Sequence, residues 1–221
     1  MSPKEILFDA NGHAISPSEI SNKINNFRDS YNNAVGEIIK NSKDLDQYGD
    51  IFIKCASRIL KSFGMTRRGP FRNNLNEILH DCWNAIGADL IEIKKYVLKH
   101  GLSRDRYLLE IDIQERDELI RKIWLLAKML LPFTMAKNTY GLVGASKILF
   151  SVLPELVLPV DNDEWKIIFK TVDLGDVINH MIFDIQNWEA ITGFHFNELD
   201  HSNRLTTLPS VYNVMAMQAR P

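Results

Sequence analysis

The chain has 221 residues, of which 45% are hydrophobic and 24% charged, and its formal net charge is −2 at pH 7. This length suits one domain with a substantial core, and the composition is ordinary for a globular protein. The nearly balanced charge excludes a protein that coats nucleic acid by bulk charge, so any nucleic-acid binding would need a local basic patch.

The sequence carries no signal of a membrane or secreted protein. No apolar run approaches the roughly 18 residues that span a bilayer, and the first residues contain no long apolar segment. Cys55 and Cys82 fall on apolar faces of predicted helices and have no CxxC partner. We therefore predict a cytoplasmic protein with two free thiols, no cofactor and no metal.

The N-terminal region predicts a small β-hairpin followed by a helix. Asn11-Gly12 separates two short apolar runs within residues 6–15, which is typical of a type I′ turn. Residues 16–19 (SPSE) then form a capping box, and apolar residues follow at steps of three and four up to Ile38. We expect one continuous helix with one buried face.

The rest of the chain predicts further helices and few strands. Local end signals and apolar periodicity place helices at residues 47–63, 74–86 with a break at Gly87, 116–131 ended by Pro132, 174–192, and after Thr207. The helix over 116–131 is strongly apolar, so we expect it to be the central buried helix.

These elements predict a mainly α fold, either a single domain or a two-lobed helical bundle, with the small N-terminal β-hairpin. Residues 1–15 form the hairpin arm, 16–132 the helical bundle, and 133–221 a glycine-hairpin region with C-terminal helices.

A basic loop lies between two predicted helices, at residues 66–72 (TRRGPFR). It contains Arg67, Arg68 and Arg72 with an aromatic residue among them. Arginine forks match phosphate oxygens, which favours a phosphate or nucleic-acid contact. The alternative is an ordinary exposed loop whose charges are solvated.

A glycine-punctuated stretch offers a second candidate site. Gly141 and Gly144 bracket two apolar residues, directly before a helix that we expect to begin near Ala145 or Ser146. Free backbone N–H groups and the helix dipole at such a turn favour an anion such as phosphate. Lys147 adds charge there, or serves as a nucleophile if burial lowers its pKa.

Asp161 follows Lys147 by fourteen residues and stands three residues before Glu164, in the pattern of a capping box. An ionised carboxylate there suits an electrostatic stabiliser, a base for water, or a plain cap. Residues 164–166 (EWK) also have the E-x-K form of metal-dependent nucleases. Those sites place carboxylates on adjacent strands, whereas this segment is predicted to be one helical turn.

The order GLVGASK, an apolar helix, then LPVDNDEW resembles the helix-hairpin-helix DNA glycosylase superfamily over residues 140–169. In that family hairpin glycines hold a DNA phosphate, a lysine attacks the sugar C1′ and an aspartate assists base loss. The resemblance implies an all-α fold and a role in DNA repair, with Gly144 as a hairpin glycine, Lys147 as nucleophile and Asp161 as catalytic carboxylate.

Two hypotheses result. The first is base excision on double-stranded DNA, with Lys147 and Asp161 as catalytic residues. The DNA-binding residues would then be Gly141, Gly144, Ser146, Arg67, Arg68 and Arg72.

The second hypothesis is a non-catalytic helical interaction or regulatory module, for example a defence-associated one, with a protein partner or a second copy of the chain. The first requires Lys147, Asp161 and the basic loop to line one cleft. The second expects Asp161 to cap its own helix, Lys147 to lie in solvent, and an apolar stripe over residues 211–217 to be a candidate partner surface.

Overall fold

A computed structural model describes residues 3–67, 69–99, 106–135, 141–201 and 207–220, and helices dominate these ranges. The α-helices are α1 (Pro17–Asn25), α2 (Asp29–Asn41), α3 (Asp50–Ser62), α4 (Leu75–Lys99), α5 (Tyr107–Glu110), α6 (Ile113–Thr134), α7 (Gly141–Val152), α8 (Leu174–Thr192) and α9 (Leu208–Gln218). Short 3₁₀ turns occur at Met65–Arg67, Pro70–Arg72 and Phe196–Leu199, and a π-helix at Glu164–Phe169. The predicted mainly α fold is confirmed.

The predicted N-terminal β-hairpin is wrong, because the described residues contain no sheet. Phe8 and Ala14 form one isolated antiparallel bridge. Gly12 has the positive φ of 80° that Asn-Gly favours. The Asp9 carboxylate organises the turn by accepting two of its backbone N–H groups, at 2.8 and 2.9 Å. An aspartate-centred turn therefore replaces paired strands.

The predicted first helix is two helices, α1 and α2, separated at residues 26–28. Ser16 caps α1 as predicted, accepting the N–H of Glu19 at 3.3 Å. The Asn25 amide donates to the Ser21 carbonyl at 2.7 Å, at the end of α1. Asparagine side chains that bind local backbone compete with the helix, so the apolar period continues through a bend.

Helix α4 runs without interruption through Gly87, so the predicted break is wrong. The Trp83 indole fills the space that a side chain at Gly87 would need. A Cβ at Gly87 would lie 2.8 Å from that ring, and a Cβ at Gly49, directly before α3, would lie 2.6 Å from it. Gly87 therefore serves packing and does not end the helix.

Helices α7 and α9 are the most buried, and α6 is not the central helix that its composition predicted. Every residue of α7 except Leu142 is buried, and α9 is buried from Leu208 to Ala216. In contrast, Leu125 and Met129 on α6 are 51% and 42% exposed. Helix α6 carries many charged residues on an outer face, whereas α7 has one and α9 none. The apolar stripe over 211–217, which would be a candidate partner surface if exposed, is buried over 211–216.

A buried ion pair ties α4 to the chain that follows α7. Lys94 Nζ lies 2.9 Å from a carboxylate oxygen of Glu155, and both side chains are 2% exposed. The same ammonium donates to the Val152 carbonyl at 2.9 Å. The pair thus also satisfies a carbonyl at the end of α7.

Cys55 and Cys82 are buried and free. Burial raises the pKa of Cys55 to about 11 and that of Cys82 to about 12. Among the helices that the structure describes, none is long and apolar enough to cross a membrane.

Candidate functional site

The glycine pair lies inside α7 and not in a turn before it. The described helix begins at Gly141, upstream of the predicted start near residue 145. A Cβ on Gly141 would lie 2.6 Å from Met135, and one on Gly144 3.0 Å from Thr134 and 3.1 Å from Phe71. These glycines let α7 approach α6 and the basic loop closely.

Ser146 is buried as well, and it joins α7 to the extended segment before the π-helix. Its hydroxyl donates to the Val143 and Val160 carbonyls, and it accepts the Val160 N–H at 3.2 Å. Gly141, Gly144 and Ser146, predicted as DNA contacts, therefore all lie in the interior.

The structure brings Lys147 and Asp161 together, as the catalytic hypothesis requires. Lys147 Nζ donates to Asp161 Oδ1, and the lysine side chain is 0% exposed. The same ammonium lies 4.6 Å from the centroid of the Phe63 ring, at the end of α3. The predicted solvent-exposed alternative for Lys147 is therefore wrong.

Two further charged residues complete this site. The Arg220 guanidinium donates to Asp161 Oδ2 at 2.9 Å and to Glu164 Oε1 at 2.6 Å. The Asp161 N–H donates to Glu164 Oε2 at 2.6 Å, which is one half of the predicted capping box. The Asp161 carboxylate itself binds two cations. We call Lys147, Asp161, Glu164 and Arg220 the Lys147 cluster.

The charges of the Lys147 cluster set the ionisation of its carboxylates. Burial alone would raise the pKa of Asp161, but Lys147 and Arg220 outweigh it and the pKa lies below its ordinary value. For Glu164 burial dominates, and the pKa is raised although Arg220 opposes the shift. The pKa of Arg220 is raised, because the two carboxylates outweigh its burial.

The arrangement leaves little room for nucleophilic chemistry. A lysine attacks only as a free amine, and here Nζ donates to a carboxylate in a fully buried position. Both Asp161 oxygens accept hydrogen bonds from cations. The cluster instead joins α7, the start of the π-helix and the chain after α9.

Helix α2 lies beside the Lys147 cluster. The Tyr31 hydroxyl accepts from the Asn213 amide at 2.9 Å and donates to the Ser210 carbonyl at 3.4 Å. Burial raises the pKa of Tyr31 above its ordinary range. The Tyr31 and Phe63 rings meet edge to face, with centroids 5.7 Å apart. Aromatic groups therefore shield one side of the cluster from water.

The basic loop presents two of its three arginines to solvent. Arg67 and Arg72 are exposed, and Arg68 lies outside the described residues. Phe71 is 1% exposed and packs against Gly144. The aromatic residue of this loop is therefore a core anchor, which holds Arg72 at the surface.

Two grooves beside this loop are lined in part by basic residues. One, of about 500 Å³, is lined in part by Arg72, Asn73 and Asn74. The other, of about 470 Å³, is lined in part by residues of α2 and α3, and Lys61 and Asn76 line both. We call the exposed cations of these two grooves, Lys54, Arg58, Lys61 and Arg72, the basic face.

Sequence reasoning missed several of these residues. Lys54, Arg58 and Lys61 recur at steps of four and three along α3, so one exposed basic stripe was visible in the sequence. Arg220 carried no such signal, because it lies 59 residues after Asp161 in the chain.

Within the described ranges, no group of three or more His, Cys, Asp or Glu side chains is arranged to hold a metal ion. Comparisons of the chain with protein-family models, curated proteins and solved structures find no match. The resemblance to DNA glycosylases over residues 140–169 therefore stays a prediction.

Proposed function

We propose that the chain is a non-catalytic helical module that binds the phosphate backbone of double-stranded DNA through the basic face. The observation that supports this proposal is the pair of adjoining grooves that share Lys61 and Asn76. Together they line up four exposed cations on α3 and the basic loop.

The basic face supplies the local positive charge that a chain of net charge −2 needs to bind DNA. Two carboxylates, those of Glu37 and Glu77, also line the two grooves. Glu37 lies 3.7 Å from Arg58, and both side chains are about half exposed. An exposed pair of this kind is worth little, so a phosphate oxygen can replace the carboxylate.

Neutral hydrogen-bond donors lie beside the cations of the basic face. Asn41, Asn73, Asn74 and Asn76 line the same two grooves. Protein–DNA interfaces direct many of their hydrogen bonds to phosphates, from asparagine as well as from arginine and lysine. Because these groups contact phosphates and not base edges, the binding we propose is independent of sequence.

The Lys147 cluster is structural in this proposal. Base excision requires a flipped nucleotide whose sugar reaches the nucleophile. Lys147 is 0% exposed, and Arg220 occupies the other oxygen of Asp161. We therefore assign to the cluster the role of fastening α7, the π-helix segment and the end of α9.

The test is fluorescence anisotropy of a labelled duplex of about 20 base pairs across a salt titration. Wild-type protein should bind with a steep salt slope. The K61E/R72E double variant should bind at least about tenfold more weakly, with the slope reduced by about 2. The matched control K166E/K170E makes the same charge change at a different surface and should bind like wild type.

An abasic duplex tests the non-catalytic half of the proposal. We expect equal affinity for abasic and undamaged duplexes and no covalent adduct after borohydride reduction. An adduct that disappears in Lys147→Ala would overturn the non-catalytic assignment and support base excision. Failure to bind either duplex at low salt would remove DNA as the partner.

A further inference from the structure

A separate surface groove lies between the start of α7 and the π-helix. It has a volume of about 630 Å³, within the range of small-molecule sites. Its apolar lining residues are Leu142, Trp165 and Val172. Polar groups at its rim include Lys166 and Lys170.

The π-helix brings the two lysines to one groove. Lys170 ends this helix with φ of 54°, the only positive φ of a non-glycine residue in the described chain. The Lys170 and Thr171 N–H groups both donate to the Trp165 carbonyl. Side chains rarely adopt this backbone region, and both π-helices and such residues concentrate at functional sites.

Trp165 is a second, independent indication of a ligand. Its side chain lines the groove and the residue is 3% exposed. Its indole Nε1–H is buried and has no hydrogen-bond partner among the residues that the structure describes. Leaving a buried donor unsatisfied is unfavourable, and such donors are rare in folded proteins. This one belongs to a residue that lines the groove.

The charges around the groove favour an anion. The described residues that line it include two lysines and no carboxylate. Among the nearby acidic residues, Asp176 accepts from the Thr171 hydroxyl at 2.8 Å, and Asp173 caps α8. Both carboxylates therefore already accept other hydrogen bonds, and the Lys166 and Lys170 residues of the groove are exposed.

We propose that this groove binds a small organic anion with an apolar or aromatic body. The anionic group lies between Lys166 and Lys170, and the body lies on Leu142, Trp165 and Val172. Carboxylates, sulfonates and phosphates share the required chemistry. This site is distinct from the basic face and does not depend on DNA binding.

The test uses two fluorescent probes on the full chain. 8-Anilinonaphthalene-1-sulfonate carries a sulfonate on an aromatic body, and N-phenyl-1-naphthylamine has the same rings without the charge. We expect one sulfonate probe per chain, bound at least about tenfold more tightly than the neutral probe, since two ammonium groups favour the charge.

Variants locate the site. K166Q/K170Q should weaken the sulfonate probe about tenfold and leave the neutral probe unchanged. Trp165→Phe keeps the ring and removes the N–H donor, so it should weaken the sulfonate probe several-fold. K54Q/R58Q, on the basic face, is the matched control and should change neither probe. Far-UV circular dichroism verifies that each variant is folded.

Sodium octanoate and octanol extend the test to an aliphatic body. Octanoate should displace the sulfonate probe and octanol should not. The proposal is overturned if the sulfonate probe does not bind, if both probes bind equally well, or if K166Q/K170Q binds the sulfonate probe like wild type.

Discussion

Two buried lysines, Lys94 and Lys147, pair with carboxylates of the same chain segment, but their surroundings differ. The Lys94–Glu155 pair is sealed, with both side chains 2% exposed. Lys147 is equally buried, yet the side chain of its partner Asp161 is 28% exposed and also binds Arg220. Glu155 therefore lies inside the core, whereas Asp161 lies at its edge.

This difference explains why a buried lysine near an aspartate is weak evidence for catalysis. The sealed pair has a plainly structural role, since its ammonium also satisfies a helix-end carbonyl. The Lys147 cluster uses the same solution with one more cation and one more carboxylate. We propose that its resemblance to a nucleophile and a catalytic carboxylate arises from the need to neutralise charge in the interior.

The largest effect is expected for Lys94→Met, which removes the ammonium from a fully buried ion pair. Breaking a buried pair in this way costs about 3–5 kcal/mol of the free energy of unfolding. Urea unfolding followed by circular dichroism measures it. The double variant K94M/E155L should regain most of the loss, and a single-variant loss below about 1 kcal/mol would contradict the sealed-pair description.

Lys147→Met should cost less, about 2–3 kcal/mol, because Asp161 keeps Arg220 and some contact with water. The same urea experiment applies, with the exposed Lys166→Met as a control expected to stay within about 0.5 kcal/mol of wild type. A loss equal to that of Lys94→Met would erase the distinction between the two lysines.

A third buried carboxylate, Asp184, sharpens the comparison because neutral donors hold it. The Tyr212 hydroxyl and the Ile6 N–H donate to it at 2.8 and 3.0 Å. Burial raises its pKa from 3.8 to about 6. The folded protein therefore holds this proton more tightly than the unfolded chain, and the stability it contributes is present below about pH 4 and lost as pH rises through 6.

This titration should remove about 2 kcal/mol of the free energy of unfolding between about pH 4 and 6.5. Asp184→Asn keeps an acceptor oxygen and should lack that part of the pH dependence. Urea unfolding at several pH values measures the difference between the two proteins. The exposed Asp163→Asn is the control, and a difference between wild type and Asp184→Asn that does not vary with pH would refute the prediction.

Local chemistry explains what could be predicted from the sequence. Ser16 caps α1, Gly64 follows α3 with φ of 68°, and Gly193 ends α8 with φ of 72°. Each of these signals acts within a few residues of its own helix end, so no tertiary information is needed to interpret it.

Tertiary contacts explain what could not be predicted. Gly87 looks like a helix break until Trp83 is seen against it. Gly141 and Gly144 look like a turn, although their spacing differs from the Gly-x-Gly of the family they resemble. They lie within a helix, and glycine is needed there because Thr134, Met135 and Phe71 fill the space that a side chain would take.

Part of the candidate site could be predicted from the sequence. The Lys147–Asp161 pair was inferred from a motif, and the structure brings the two residues into contact. The motif could not indicate that Arg220 occupies the second oxygen of Asp161, since that contact joins residues 59 apart. Charge neutralisation by a remote residue is invisible to short-range patterns.

The N-terminal turn and helices α1 and α2 depend on contacts with α8 and α9. Ile6 binds Asp184, Tyr31 binds Asn213, and α1 packs on α9, with sequence separations of 178 and 182 for the two hydrogen bonds. Such distant contacts slow folding, because a long loop must close before they form. A ribosome makes α1 and α2 well before α9, so their apolar faces lack this partner during synthesis. The apolar residues that α1 and α2 bury against α9 therefore stay uncovered in the nascent chain until the final helix has been made.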